Sequence, residues 1–85
     1  MKITCERMLE LRKEKQLTQK EISNYLKIGQ STYSRYEQGI LEINAEILIA
    51  LCILYKVSSD YLCGLTDNFY KDILIQNIFF IYSLN

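Results

Sequence analysis

The sequence contains no histidine and no proline, and only three glycines among 85 residues. Without histidine it lacks the commonest general base. It also has no nucleophile placed beside a base and no glycine-rich phosphate loop, so the expectation is a protein that is not an enzyme and takes no cofactor. The three cysteines, Cys5, Cys52 and Cys63, are odd in number, widely spaced and unaccompanied by any histidine. That pattern has no metal-ligand spacing, and it predicts buried free thiols and no metal site. Absent proline and scarce glycine leave long periodic stretches uninterrupted, which points to helices. The opening "MKITCERMLELRKEKQ" has charges every few residues and no unbroken apolar core, so it does not read as a signal peptide and predicts a cytoplasmic protein.

What is present is a chain with 49% hydrophobic residues, enough for one compact core and too short for two. Ten basic residues balance ten acidic ones, which argues against a general polyanion binder. The balance hides an asymmetry. Residues 1–35 carry eight Lys/Arg against four Glu, and residues 36–85 carry two against six acids. A basic half and an acidic half suggest a nucleic-acid face and a back turned elsewhere.

Periodicity and capping signals divide residues 1–67 into five short helices. The first spans Thr4 to Lys15, with Thr4, Cys5, Met8 and Leu11 on its apolar stripe, charged residues around it, and Leu9 off the stripe. Thr18 and Glu21 have the spacing of a capping box, and Leu17 with Ile22 that of a hydrophobic staple, so a second helix starts at Gln19 and ends near Leu26. "KIG" breaks the pattern before a third helix from Gln30, stopped by Gly39. Asn44 caps a fourth, "AEILIALCILYK", and Ser58 a short fifth, "SDYLC", closed by Gly64. The remainder, "NFYKDILIQNIFFIYSLN" (68–85), is an apolar extension expected to be helical. Lys71, Asp72, Gln76 and Asn77 leave it far short of the roughly twenty apolar residues of a membrane span.

On a helical wheel the third helix, residues 30–38, separates its side chains sharply. Gln30, Ser31, Ser34, Arg35 and Gln38 share an arc of roughly 140°, while Tyr33 and Tyr36 point the other way. The arc contains no acid. Glutamine can pair bidentately with adenine, arginine with guanine and serine with either, so such a face suits base-edge readout, although the same residues also make ordinary soluble surface. "TQKEISNYL", "KIG" and "QSTYSRYEQ" supply in order the backbone-anchoring helix, the sharp turn and the groove-entering helix of a helix-turn-helix.

Together with "LRKEKQLTQKEIS", "STYSRYEQG" and "YKVSSDYLCGLTD", this arrangement resembles the xenobiotic-response-element class of helix-turn-helix proteins, which includes the phage repressor and Cro DNA-binding domains. The resemblance covers residues 7–67. It implies an all-α, five-helix lambda-repressor-like bundle over 1–67 that binds operator DNA, usually as a homodimer. It also implies base contacts from Gln30, Ser31 and Arg35, with Thr32 and Ser34 flanking them. Gln19 matches a glutamine that contacts phosphate and braces the reading helix, and Arg12 with Glu37 matches an ion pair tying the first helix to the third. Thr18, Lys20 and Lys27 complete the expected backbone contacts.

The chain departs from the pattern at several positions. Gln16 and Lys27 stand where the family often has glycine in left-handed turns, and Gly29 replaces a capping Ser or Thr. The loop after the third helix reads "ILEIN", without the basic residues that often hold the DNA backbone there. The fourth helix carries nine apolar residues in succession, "ILIALCILY". Ile47, Ala50 and Ile53 on it are expected to form an extra apolar face covered by Phe69, Tyr70, Ile73, Leu74, Ile78, Ile81 and Tyr82 of the extension, either within one chain or across a dimer. The reading is a sequence-specific transcriptional regulator, a repressor binding a palindromic operator as a homodimer. The alternative is a protein-interaction regulator, or an antitoxin or immunity component, that uses the same fold with weak DNA binding.

Overall fold

The computed structural model describes residues 2–67, so the expectations placed on 68–85 lie outside the described residues. Five helices follow one another: α1 Lys2–Glu14, α2 Gln19–Leu26, α3 Gln30–Gln38, α4 Ala45–Tyr55 and α5 Ser59–Leu62. No strand occurs among the described residues. α1 begins two residues before the expected Thr4, because Ile3 in its first turn packs over the turn at Gly64. A Cβ on Gly64 would lie 2.6 Å from Ile3 Cγ2, and its φ of +83° is left-handed, so glycine is required there twice over.

Three of the helices, α2, α4 and α5, begin with a side-chain cap. Thr18 Oγ1 accepts the Glu21 amide at 3.0 Å while Glu21 Oε1 accepts the Thr18 amide at 3.0 Å, a complete capping box. Asn44 accepts from Ile47 N at 2.8 Å and Ser58 from Tyr61 N at 2.9 Å. Gly29 has the right extended backbone, φ −69° and ψ 148°, but no side chain with which to cap α3.

Their ends share one device. Gln16, Lys27, Gly39, Lys56 and Gly64 each adopt a positive φ. The amide of the following residue then reaches back five positions: Leu17 to Arg12, Ile28 to Ser23, Ile40 to Arg35, Val57 to Cys52 and Leu65 to Asp60, at 2.8–3.1 Å. At four of the five the left-handed residue's own amide also reaches back three positions, completing the Schellman arrangement, while the Lys56 amide reaches back four to Cys52; an apolar residue follows each. The left-handed stop ends α4 at Tyr55 rather than Lys56. Three of the five left-handed positions are non-glycine, at about 1–2 kcal/mol each, which the closed carbonyls help offset.

The core is formed by Met8 and Leu11 of α1, Ile22 of α2, Tyr33 and Tyr36 of α3, Ile47, Leu51 and Tyr55 of α4, and Val57, Tyr61 and Leu62. Ile47 requires a correction. It was expected on an extra face, yet it belongs to the bundle's own core at 7% exposure; Ala50 is half-buried, and only Ile53 of that trio is exposed. The exposed apolar stripe of α4 is instead Ile49 and Ile53. The cysteines are free, as expected, but half-buried rather than buried.

Arg7 is the unforeseen core residue. It is only 8% exposed and its guanidinium sits 4.1 Å from the Tyr61 ring centroid. It donates to the Tyr61 carbonyl, to Thr66 O at 2.7 Å and to Asp67 Oδ1 at 2.8 Å. A buried arginine is tolerable only with such a set of acceptors, and here they fasten the end of the bundle to α1.

Because Gly29 already has cap geometry and a Cβ there would meet nothing closer than Thr32 Oγ1 at 3.9 Å, Gly29→Ser should stabilise the protein. The expected gain is about 0.5–1 kcal/mol, from the new cap bond and a less free unfolded chain, read as a higher urea midpoint at unchanged m-value.

Candidate nucleic-acid interface

α2 and α3 pack against each other across the Lys27 turn, and α3 also packs against α1. Tyr33 and Tyr36 of α3 are inside, at 0% and 8% exposure. With those two side chains anchoring one face, the other is turned outward. Gln30, Ser31, Arg35 and Gln38 are exposed and Thr32 and Ser34 half-buried. Gln38 Nε2 donates to Ser34 Oγ at 3.0 Å, which orients both side chains one turn apart. Arg35 has no ion-pair partner among the described residues, so its guanidinium is available to a ligand. Thr18, Lys20 and Lys27 are exposed around the start of α2 and the turn, and Gln19 is half-buried.

What fixes α3 is a single carboxylate. Glu37 accepts Arg12 Nε at 2.8 Å on Oε2 and Arg12 Nη2 at 2.9 Å on Oε1, a bidentate pair. Oε2 also accepts the Tyr33 hydroxyl at 2.6 Å, and Oε1 accepts Gln19 Nε2 at 3.3 Å. Arg12 Nη1 meanwhile donates to Leu17 O at 2.9 Å, so the same guanidinium holds the turn between α1 and α2. The pair is well shielded, with side-chain exposures of 14% for Arg12 and 5% for Glu37. Burial by itself would raise the Glu37 carboxyl's pKa. The hydrogen bonds from Arg12, Tyr33 and Gln19 outweigh it and hold the group below the usual carboxylate range. The hydrogen bond to Glu37 raises Arg12 in turn, and burial followed by the same carboxylate raises the Tyr33 hydroxyl.

Sequence reasoning placed Arg12, Gln19 and Glu37 only through the resemblance, and it did not foresee the Tyr33 hydroxyl as a fourth member of the cluster. The signal was present: Tyr33 and Glu37 are four apart on one helix, where side chains meet. The loop after α3 is as bare as it reads. Ile40 is 71% exposed and Leu41 41%, and Glu42 is exposed beside them.

The fold and this clamped, outward-facing third helix define a helix-turn-helix domain, and residues 8–62 match the family model described as helix-turn-helix. The chain belongs to that family, within its xenobiotic-response-element class. It is 38% identical over 64 residues to the uncharacterized HTH-type transcriptional regulator YobD of Bacillus subtilis strain 168, covering 75% of this chain and 57% of the relative. It is 40% identical over 58 residues to the HTH-type transcriptional regulator ImmR of the same organism, covering 68% of this chain and 46% of the relative. The chain thus spans about half the length of these curated relatives. Its fold resembles the crystal structure of a transcriptional regulator from Listeria innocua, at a TM-score of 0.70 and 24% identity, covering 96% of this chain and 77% of that one. No described helix is long and apolar enough to cross a membrane, and no cluster of potential metal ligands occurs among the described residues.

Removing one partner of a shielded, multiply bonded pair leaves the other desolvated and unpaired, so Glu37→Gln should cost about 3 kcal/mol in urea unfolding. The pH dependence follows from the lowered Glu37 pKa in the folded state. Its stabilising contribution is complete above the unfolded-state value of 4.5 and is lost as pH falls through the lower folded-state value. Wild type should therefore lose stability relative to Glu37→Gln as pH drops below 4.5, the gap between the two narrowing in acid.

Proposed function

We propose that this protein is a sequence-specific DNA-binding transcriptional regulator, acting as a repressor, that reads operator bases with Gln30, Ser31, Ser34 and Arg35. The observation that carries the reading is the acid-free outer face of α3, held against α1 and α2 by the four-residue cluster around Glu37. A helix fixed against two neighbours presents its free side chains in one orientation, which base-edge recognition requires. Thr18, Gln19, Lys20, Lys27 and Thr32 position the DNA backbone, with the α2 N-terminus contributing its amides. A homodimer on a palindromic operator places two such helices in successive major grooves.

A second reading, a regulator that acts on a partner protein with weak DNA binding, is favoured by one observation. Exposed Ile40 and Leu41 occupy the loop after α3, where lysines or arginines would grip the backbone. With few cationic contacts, DNA affinity on the first reading depends weakly on salt.

Selection from a random duplex pool at low salt separates the two. The DNA reading expects enrichment of a two-fold symmetric site with half-sites about one helical turn apart. Arg35→Ala should then relax a single base position at about 1–3 kcal/mol. Lys20→Ala should instead weaken all sites alike and reduce the salt slope by about 1. A pool with no enriched sequence would refute the first reading and leave the second.

A further inference from the structure

The outer face of α4 is built as though something covers it. Ile47, Leu51 and Tyr55 fill the core at 7%, 0% and 4% exposure, whereas Ile49 and Ile53 remain 59% and 54% exposed. Four residues apart, the two stand one above the other, with exposed Glu46 and Lys56 at either end of the same side. Isoleucine is a poorer helix former than the straight-chain residues that usually fill a solvated face. A stacked pair of them in mid-helix is an apolar surface that gains stability when covered. The ridge is too small to hold two folded domains together, because a stable interface removes about 1,200 Å² or more from water.

The chain itself supplies a fitting occupant. It continues past Asp67 for eighteen residues, with Phe69, Tyr70, Ile73, Leu74, Ile78 and Tyr82 among them. Its point of departure is fastened: Arg7 grips Thr66 O at 2.7 Å and Asp67 Oδ1 at 2.8 Å, together with the carbonyl of Tyr61 on α5, the helix packed against α4. A segment tethered there meets the ridge at an effective concentration in the millimolar range, which favours its own chain over a second copy. Reach is ample, since α4 is eleven residues and so about 16 Å long, and the segment exceeds it in either helical or extended form.

We propose that residues 69–82 seat on the Ile49–Ile53 ridge of their own chain's α4. The segment is then part of the folded unit rather than an appendage, and Arg7 sets the place from which it starts.

The test uses the full chain with isotope-labelled isoleucine methyls and aromatic rings. Nuclear Overhauser contacts are expected from the Ile49 and Ile53 methyls to rings within 69–82, and the same contacts should be missing from an isotope-filtered experiment on an equal mixture of labelled and unlabelled protein. In the full chain, Ile53→Ser should abolish those contacts and lower Tm by about 5 °C, where an isoleucine facing only water would leave it nearly unchanged. Methyls without contacts to the segment, or contacts seen only between labelled and unlabelled chains, would overturn the proposal. No DNA enters either measurement, so the outcome is independent of whether α3 reads bases.

Discussion

The placement of α3 in this protein depends on one carboxylate. Glu37 joins Arg12 of α1, Gln19 of α2 and Tyr33 of its own helix at a single shielded point, and through Arg12 it also holds the carbonyl of Leu17 in the intervening turn. Three helices are thereby located relative to one another, because the bonds from Arg12 and Gln19 to Glu37 form only when α1 and α2 are docked against α3. Such a cluster costs desolvation, and what it contributes is orientation as much as stability. The apolar contacts of Tyr33 and Tyr36 hold α3 to the bundle, and the polar cluster ties its C-terminal half to α1 and α2.

A comparable arrangement operates where the chain leaves α5. Arg7 gathers acceptors from Tyr61, Thr66 and Asp67 and lays its guanidinium over the Tyr61 ring, so α5 and the residues after it are fastened to α1. α1 is thus the common strut, with Arg12 facing α3 and Arg7 facing the exit of the chain. Five left-handed stops turn the chain at the helix ends, and they do so even where lysine or glutamine must adopt a left-handed backbone.

Much of this was legible locally. The capping box at Thr18 and Glu21, the caps at Asn44 and Ser58, and the stop at Gly39 lie within a few residues of the groups they satisfy, so spacing alone located α2, α3 and the starts of α4 and α5. The wheel likewise separated Tyr33 and Tyr36 from the polar arc, because helical periodicity is a local property. Arg7 was not legible. Its acceptors lie 54 to 60 residues away, and in sequence it is one more charge on an amphipathic helix. Ile47 was misplaced for a related reason: on a helix apolar all round, periodicity cannot say which face the bundle occupies.

The sequence by itself determined the helices, most of their starts, the acid-free arc of α3 and, through linked motifs at the right separations, the family. Those features follow from backbone propensities and short-range hydrogen bonds, which composition and spacing encode directly. Only the tertiary structure decided which charged residues are buried and which apolar ones are not. The burial of Arg7 and Glu37, and the exposure of Ile49 and Ile53, depend on where distant helices pack, and on whether a desolvated charge finds enough partners there.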